Sequence, residues 1–193
     1  MSNDGAAFEL SPGWLDQAGH AACLQWCGRD IAWQTHRLRL FGRWVDAPRR
    51  SAWIGDPGAV YRYSGQTFAP QPWPQALLPL RQRLREELGI DFNAVLANLY
   101  RDGRDAMGWH SDDEPELGPE PVIASLSLGA ARRFVLRRRD DHAVKQVLVL
   151  EPGSLLVMRG VSQRDWQHAL PSTARPVGPR INLTFRRIVD AGV

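Results

Sequence analysis

The segment Met107-Gly-Trp-His-Ser-Asp-Asp-Glu114 places an imidazole and several carboxylates close together in the chain. His110 and Asp112 are two residues apart, and side chains at positions i and i+2 of an extended strand point in the same direction, whereas on a helix they diverge. A strand here would therefore present two of the three ligands of the 2-His-1-carboxylate triad that holds Fe(II). A His-x-Asp tripeptide is also common in solvated turns, so this interpretation requires a third ligand.

The candidate third ligand is His168, in the segment Asp165-Trp-Gln-His-Ala-Leu-Pro171. Twelve residues further on, the chain reads Arg180-Ile-Asn-Leu-Thr-Phe-Arg186. Polar and apolar residues alternate in this second segment, which predicts a strand with one packed face and one polar face. The polar face would consist of Arg180, Asn182, Thr184 and Arg186. A strand face with two guanidinium groups indicates a binding site.

The composition is that of one substantial globular domain. The chain has 193 residues, of which 44% are hydrophobic, so it can bury a proper core, and a second domain is not expected. The N-terminus lacks a charged region followed by an apolar one, and no apolar run approaches the roughly 18 residues of a membrane helix. We expect a cytoplasmic protein with no membrane association and no obligate protein partner.

The formal net charge is only +3, but the arginines are clustered. Such clustering indicates a local anionic partner more than a generally basic protein. The eight tryptophans are expected mostly in the core, and any exposed ones near arginine would suit the stacking of bases. Cys23 and Cys27 lie four residues apart on a predicted helix, and we expect reduced, partly buried thiols without an assigned function.

The first part of the chain predicts two helices. Residues 1–10 show no periodicity and are expected to be mobile. A helix is predicted from Ser11-Pro12, read as an N-cap and a first-turn proline, to about Trp26. After a proline-rich loop at residues 69–74, a second helix is predicted from Gln75 to Leu88, ending at Gly89.

Between these helices lies a candidate nucleotide-recognition lid at residues 36–68. Apolar residues alternate there with a predicted outer strand face of Arg37, Arg39, Phe41 and Arg43. A solvated arginine face is the alternative interpretation. Aromatic and cationic side chains keep recurring as far as Tyr63, as base stacking combined with phosphate contacts would require.

From Phe92 onward we predict mostly short strands, punctuated by glycine and proline. They are expected near residues 95–100, 107–110, 122–128, 133–138, 145–150, 154–158, around 167, and 181–188. About eight such strands favour a sandwich, a barrel or a jelly roll, and a jelly roll can hold a metal between its two sheets.

Several motifs in combination carry a resemblance to a known family. They are Asn98-Leu-Tyr100, His110-Ser-Asp-Asp-Glu114, Pro121-Val-Ile-Ala-Ser-Leu-Ser-Leu-Gly129, His168-Ala-Leu-Pro171 and Arg180-Ile-Asn-Leu-Thr-Phe-Arg186. Over about residues 38–188 the chain resembles the AlkB family of Fe(II)/2-oxoglutarate-dependent nucleic-acid dealkylases. The segments Phe41-Gly-Arg-Trp44, Pro48-Arg-Arg50 and Tyr61-Arg-Tyr-Ser-Gly65 are similar to those of members that repair DNA.

The resemblance implies a fold that is mainly β with flanking helices (α+β). It would be a double-stranded β-helix (jelly roll) with N-terminal helices and the lid, in a single dioxygenase domain spanning residues 1–193 with its catalytic core at 92–188. The implied cofactors are Fe(II), 2-oxoglutarate as cosubstrate and O2. The implied iron ligands are His110, Asp112 and His168.

The resemblance also implies the remaining site residues. Those for 2-oxoglutarate are Asn98, Tyr100, Arg180, Asn182 and Arg186. A guanidinium fork suits a carboxylate better than lysine does, but six strand residues span roughly 20 Å, so both arginine side chains must converge to bind one small molecule. Those for the substrate are Phe41, Gly42, Arg43, Trp53, Tyr61, Tyr63, Asp113 and Glu114.

The implied reaction is oxidative demethylation of 1-methyladenine and 3-methylcytosine in alkylated DNA, with release of formaldehyde, succinate and CO2. Trp53 and Tyr63 would stack on a flipped-out base, Phe41 would fill the gap that it leaves, and Asp113 and Glu114 would meet its exocyclic amine or positive charge. Whether DNA or RNA, and duplex or single strand, is preferred stays open. Alternatives are the same chemistry on a protein or small molecule, and a non-catalytic nucleic-acid-binding jelly roll.

Overall fold

The computed structural model describes residues 7–40, 42–63 and 66–189, with the side chains of all of them except residues 38–40 and 61–68. In chain order, its helices and strands are β1 (Phe8–Ser11), α1 (Gln17–Asp30), β2 (Arg37–Leu40), β3 (Arg43–Asp46), β4 (Arg50–Gly55), β5 (Tyr61–Tyr63), β6 (Gln66–Phe68), α2 (Leu78–Leu88), β7 (Ala94–Tyr100), β8 (Met107–His110), β9 (Ile123–Gly129), β10 (Arg132–Arg138), β11 (Lys145–Leu150), β12 (Leu155–Met158), α3 (Ser162–Asp165), β13 (Trp166–Leu170) and β14 (Arg180–Arg186).

Two antiparallel sheets form the body of the fold. The major sheet has six strands in the order β1-β12-β9-β14-β7-β4, and the minor sheet has four in the order β11-β10-β13-β8. This arrangement is the expected jelly roll, mainly β with few helices. All eight strands predicted after Phe92 are present at the expected places.

The two faces of the major sheet bury different partners. On β14, Leu183 and Phe185 belong to a core that also contains Leu84 of α2 and Cys27 of α1, so this face packs against the helices. The opposite face contributes to a second core together with residues of the minor sheet such as Leu136. The predicted polar face of β14 therefore points into the space between the two sheets.

Two expectations for the N-terminal region were wrong. Residues 8–11 form β1, because they pair with β12 at the edge of the major sheet, and the ring of Phe8 meets that of Trp166 edge-on at 5.5 Å. Residues 1–6 lie outside the described part of the chain. The first helix begins at Gln17, because the side chain of Asp16 accepts the Gly19 N–H at 2.7 Å and is the actual N-cap.

The second predicted helix is confirmed. A short 3-10 turn at Gln75–Leu77 leads into α2, and Gly89 ends it with φ 69°, a left-handed conformation that glycine adopts without steric cost. Both cysteines are free thiols, as expected, with their Sγ atoms 3.9 Å apart. Within the described ranges, no helix is both long and apolar enough to cross a membrane.

The lid differs from the continuous segment predicted at residues 36–68. β2 and β3 form one separate hairpin and β5 and β6 another, but β4 between them is a strand of the major sheet with five buried residues. The jelly-roll core consequently extends beyond residues 92–188, because β1 and β4 are its edge strands. Since the residues of β4 pair with residues of β7 that lie 39 to 49 positions away in the chain, local alternation alone could not assign it.

The predicted strand from Arg37 to Arg43 is also interrupted. The chain reverses at Gly42, which has φ 79°, so Arg43 begins the second strand of the hairpin and pairs with Leu40. Trp44 pairs with Arg39. Arg43 thus does not continue the strand of Arg37 and Arg39, and Phe41 lies outside the described residues.

Candidate active site

The three predicted metal ligands come together between the sheets. His110, the last residue of β8, pairs with His168 of β13, and Asp112 follows two residues beyond the strand end. Their ligand atoms all lie within 4.8 Å of one another. Asp112 Oδ1 is 3.9 Å from His110 Nε2, and Oδ2 is 4.0 Å from His168 Nε2. The predicted triad is therefore assembled, although Asp112 itself is not in the strand.

Contacts around the two imidazoles orient their rings. His110 Nδ1 lies 2.8 Å from the Gly108 carbonyl oxygen. Because a carbonyl oxygen can only accept, Nδ1 carries the proton and Nε2 is left as an electron-pair donor, a common arrangement for a metal ligand. The ring of Phe134 stacks on that of His168 with centroids 5.2 Å apart, and the two imidazole centroids are 4.2 Å apart.

The electrostatics of the site match the donor set of the triad. Burial, helped by His110, lowers the pKa of His168 to about 3, so its imidazole is neutral near pH 7. Burial also lowers the pKa of His110. For Asp112, burial alone would raise the pKa, but the attraction of Arg186 and the two histidines outweighs it and the pKa is lowered. Two neutral imidazoles and one carboxylate are the ligands that suit Fe(II).

A cavity of about 450 Å³, a volume that includes its mouth, extends from the triad along the polar face of β14. All five residues predicted for 2-oxoglutarate line this cavity together with the triad: Asn98, Tyr100, Arg180, Asn182 and Arg186. The two arginines do not converge on one point. Arg186 Nη2 donates to Asp112 Oδ1 at 2.7 Å, whereas Arg180 Nη2 donates to Ser127 Oγ at 3.0 Å and to Asn182 Oδ1 at 2.7 Å.

Arg180 tests whether the cavity suits a carboxylate ligand. Its side chain is 1% exposed, its Nε has no hydrogen-bond partner, and no carboxylate pairs with it among the described residues. Burial lowers the pKa of Arg180 to about 10, so the group is still a cation at neutral pH. A buried guanidinium without an anion is unfavourable, and a ligand carboxylate would satisfy both its charge and its free N–H. The residues present therefore fit 2-oxoglutarate.

Comparisons with known proteins agree with this geometry. The family described as the 2OG-Fe(II) oxygenase superfamily matches residues 7–186. The mouse protein named DNA oxidative demethylase ALKBH2 is 44% identical over 160 residues, covering 79% of this chain and 67% of the relative. The bovine alpha-ketoglutarate-dependent dioxygenase alkB homolog 3 is 40% identical over 188 residues, covering 93% of this chain and 65% of the relative.

The chain belongs to the AlkB family of 2OG-Fe(II) oxygenases. It spans about two thirds of the length of these two relatives, 67% and 65% respectively. A solved structure, that of OsALKBH1, has a TM-score of 0.65 with 16% identity and covers 94% of this chain and 96% of that chain, a likeness that supports the fold. AlkB proteins use Fe(II), 2-oxoglutarate and O2.

Arg49, which the sequence placed only in the arginine-rich lid segment, lies next to the AlkB pocket. Its side chain is buried, and Nε donates to Asn98 Oδ1 at 3.1 Å. Ser125 and Ser127 were also missed, although they contact Asn182 and Arg180. The alternation Ser-Leu-Ser on β9 was a usable signal for a polar inward face. Nothing in the sequence marked Phe134, because a phenylalanine on a strand is ordinarily core.

Trp53, which was predicted to stack on a base, is buried in the structure. Its side chain is 5% exposed in the core between the sheets, and its indole N–H donates to the Ala59 carbonyl oxygen at 2.8 Å. The expectation failed because Trp53 lies on β4, a buried strand. Tyr61 and Tyr63 lie on β5, but their side chains are outside the description, so their contacts stay predictions, as does that of Phe41.

Asp113 and Glu114, the two acidic residues that follow Asp112, have different surroundings. Asp113 is exposed and accepts from Arg139 Nη1 at 2.7 Å, and it lines a surface groove with Gln163 instead of the metal cavity. Glu114 is half-buried. Contacts of Asp113 and Glu114 with a base therefore stay predictions, and Asp113 would have to leave Arg139 to make one.

Two tryptophans do offer exposed rings beside arginine. Trp44, on the β2–β3 hairpin, is 51% exposed, with the Arg37 guanidinium 5.9 Å from its centroid. Trp109 precedes His110 on β8 and is 37% exposed, with the Arg137 guanidinium 4.1 Å from its centroid. Gly42 and Arg43 are exposed at the turn of the same hairpin as Trp44. Flat groups next to cations are the expected composition of a surface that contacts nucleic acid.

Proposed function

We propose that this protein is an Fe(II)/2-oxoglutarate-dependent dioxygenase that demethylates 1-methyladenine and 3-methylcytosine in alkylated DNA, releasing formaldehyde, succinate and CO2. One observation carries the proposal: the three clustered ligands share a cavity with a buried arginine that lacks a carboxylate partner. The substrate class is supported by the name of the 44% identical mouse relative, DNA oxidative demethylase ALKBH2.

Each part of the cavity has a distinct task in this proposal. His110, Asp112 and His168 would hold the metal with the two imidazoles and one carboxylate that suit Fe(II). Arg180, at the other end of the polar face of β14, binds the far carboxylate of 2-oxoglutarate, which orients this cosubstrate relative to the metal. When bound, Fe(II) supplies the activation of O2 that couples decarboxylation of 2-oxoglutarate to oxidation of the methyl group.

Burial of the site supports this division of tasks. Asp112, His168 and Arg180 are each less than 5% exposed, because both sheets cover the cavity. Exclusion of water strengthens the electrostatic interactions inside such a site and protects a reactive centre from side reactions. The base must therefore be presented at the mouth, where the His110 side chain is 22% exposed, and a flipped-out base satisfies this requirement.

The test is succinate formation from 2-oxoglutarate with Fe(II), measured with 1-methyladenine oligonucleotide, with the unmodified oligonucleotide and with none. We expect succinate and formaldehyde in equal amounts only with the methylated base, and no turnover by Asp112→Ala. Succinate that is independent of any oligonucleotide would indicate a protein or small-molecule substrate. Formaldehyde release by an Asp112→Ala protein shown to contain no iron would refute the metal assignment.

A further inference from the structure

Asp112 is positioned without help from a sheet ladder. β8 ends at His110, and its pairing with β13 joins Met107 to Leu170 and His110 to His168 but includes no residue after His110. Chain beyond the end of a strand is ordinarily free to fray. Asp112 is nevertheless 2% exposed and must keep its carboxylate within reach of both histidines. A group outside the ladder holds the Asp112 backbone, in addition to the bond that Arg186 makes to its carboxylate.

That group is the side-chain amide of Gln163, on α3. Gln163 is 1% exposed, and its Oε1 accepts the backbone N–H of Asp112 at 2.9 Å. Its Nε2 lies 3.2 Å from Ser162 Oγ and 3.6 Å from Met158 Sδ. Because the Asp112 N–H can only donate, it must meet the oxygen of the amide, and the two contacts of Nε2 keep the amide in that orientation.

A second tether connects the same two segments. The hydroxyl of Ser111 donates to the Trp166 carbonyl oxygen at 2.8 Å. Gln163 and Trp166 both lie within the five residues before His168, the third ligand of the triad. Residues 163–168 therefore hold Ser111 and Asp112 by hydrogen bonds and also provide His168, which couples the position of one ligand to that of another.

We propose that Gln163 is a positioning residue of the metal site: its amide oxygen replaces the missing strand partner of Asp112 and sets the carboxylate against His168. The inference rests on the proposed metal role of the triad. Without this acceptor, the buried Asp112 N–H has no partner in its present position and the loop relaxes towards water. Replacement of a residue that orients a metal ligand typically weakens metal binding by about 10- to 100-fold.

The experiment compares Co(II) binding to the full chain and to Gln163→Leu by titration of the d–d absorption bands under anaerobic conditions. We expect the Co(II) dissociation constant to rise by about 10-fold or more in Gln163→Leu, with a changed band pattern, because the carboxylate no longer sits at a fixed angle. The control is Gln71→Leu, the same exchange at a glutamine whose amide donates to the Ala32 carbonyl oxygen at 3.3 Å, away from the triad. Gln71→Leu should bind Co(II) like the parent chain.

Unchanged Co(II) affinity and spectrum in Gln163→Leu would overturn the inference, since a packing role alone lowers thermal stability without altering the bound metal. If the parent chain and the variant both fail to bind Co(II), the proposed metal site itself is wrong, and the inference that depends on it is wrong as well. Should Gln163→Leu not fold, Gln163→Met keeps the side-chain length. Hydrogen exchange of the unmodified chain loaded with Zn(II) is an independent measurement: the Asp112 amide should exchange much more slowly than that of Asp113, and equal rates would refute the hydrogen bond.

Discussion

Arg186 Nη2 donates to Asp112 Oδ1 at 2.7 Å, and both side chains are less than 5% exposed. The bond joins the last residue of β14 to the loop that follows β8. It keeps the Asp112 carboxylate ionised in a buried place, where isolation would favour the protonated form. Arg186 therefore acts on a proposed metal ligand, while Arg180, at the other end of the cavity, does not contact the triad.

This difference predicts that Arg186→Ala destabilises the metal-free protein. Removal of one partner of a buried ion pair leaves an uncompensated charge and typically costs about 3 to 5 kcal/mol in the free energy of unfolding. The measurement is urea unfolding of the metal-free chain. Arg187→Ala is a matched control, because Arg187 is the adjacent arginine and is exposed. A loss in Arg186→Ala no larger than that in Arg187→Ala would show that the pair does not stabilise the fold.

Arg180→Ala should weaken 2-oxoglutarate binding and leave the metal site intact. A carboxylate in a buried site that loses its charged partner should lose about 2 to 5 kcal/mol of binding free energy. Calorimetric titration with 2-oxoglutarate, together with Co(II) affinity, checks both halves of the expectation. Arg133→Ala, which removes an exposed arginine of β10, serves as the control. Unchanged 2-oxoglutarate affinity in Arg180→Ala would show that Arg180 does not bind the cosubstrate.

Trp44 and Trp53 should respond differently to substitution. Trp44→Ala removes an exposed ring and is expected to change stability by less than about 0.5 kcal/mol while weakening single-stranded DNA binding by about 1 to 3 kcal/mol. Trp53→Phe creates a small cavity in the core and leaves the Ala59 carbonyl without its donor, so the free energy of unfolding should fall by roughly 1 to 3 kcal/mol. These expectations are checked by measuring the oligonucleotide affinity and the urea unfolding of both variants. Unaltered DNA affinity in Trp44→Ala would remove this tryptophan from the proposed interface.

Substitution of Phe41 should affect duplex and single-stranded DNA differently. The family resemblance implies that Phe41 is a wedge that fills the gap left by a flipped base, and the next residue, Gly42, makes the reversal between β2 and β3 with φ 79°. Extrusion of a base from a duplex costs a few kcal/mol, and less of this cost applies to a single strand. Phe41→Ala should therefore lower demethylation of 1-methyladenine in duplex DNA much more than in single-stranded DNA, with unchanged 2-oxoglutarate binding.

The ratio of the two demethylation rates, relative to that of the unmodified chain, is the deciding quantity for Phe41. If Phe41 only packs within its hairpin, its loss loosens the lid and both substrates lose activity to a similar extent. Arg43→Ala, at an exposed position beyond the same turn, is a useful comparison. Loss of this cation should weaken the binding of both DNA substrates and reduce the dependence of that binding on salt.

The sequence by itself determined the elements whose signal is local. Alternation on Arg180–Arg186 predicted both faces of β14, and Gly89 marked the end of α2, because periodicity and a left-handed cap depend on neighbouring residues. The triad was also found from the sequence, on ligand chemistry combined with the family motifs.

The tertiary structure alone decided which residues meet across long separations in the chain. β1 and β4 are strands because distant strands pair with them, and this pairing buries Trp53, which had looked like an exposed stacking residue. The Gln163 bond to Asp112 spans 51 residues and the Arg186 bond spans 74. Hydrogen bonds of this kind leave no periodic trace, since they depend on how two sheets and a short helix are placed in space.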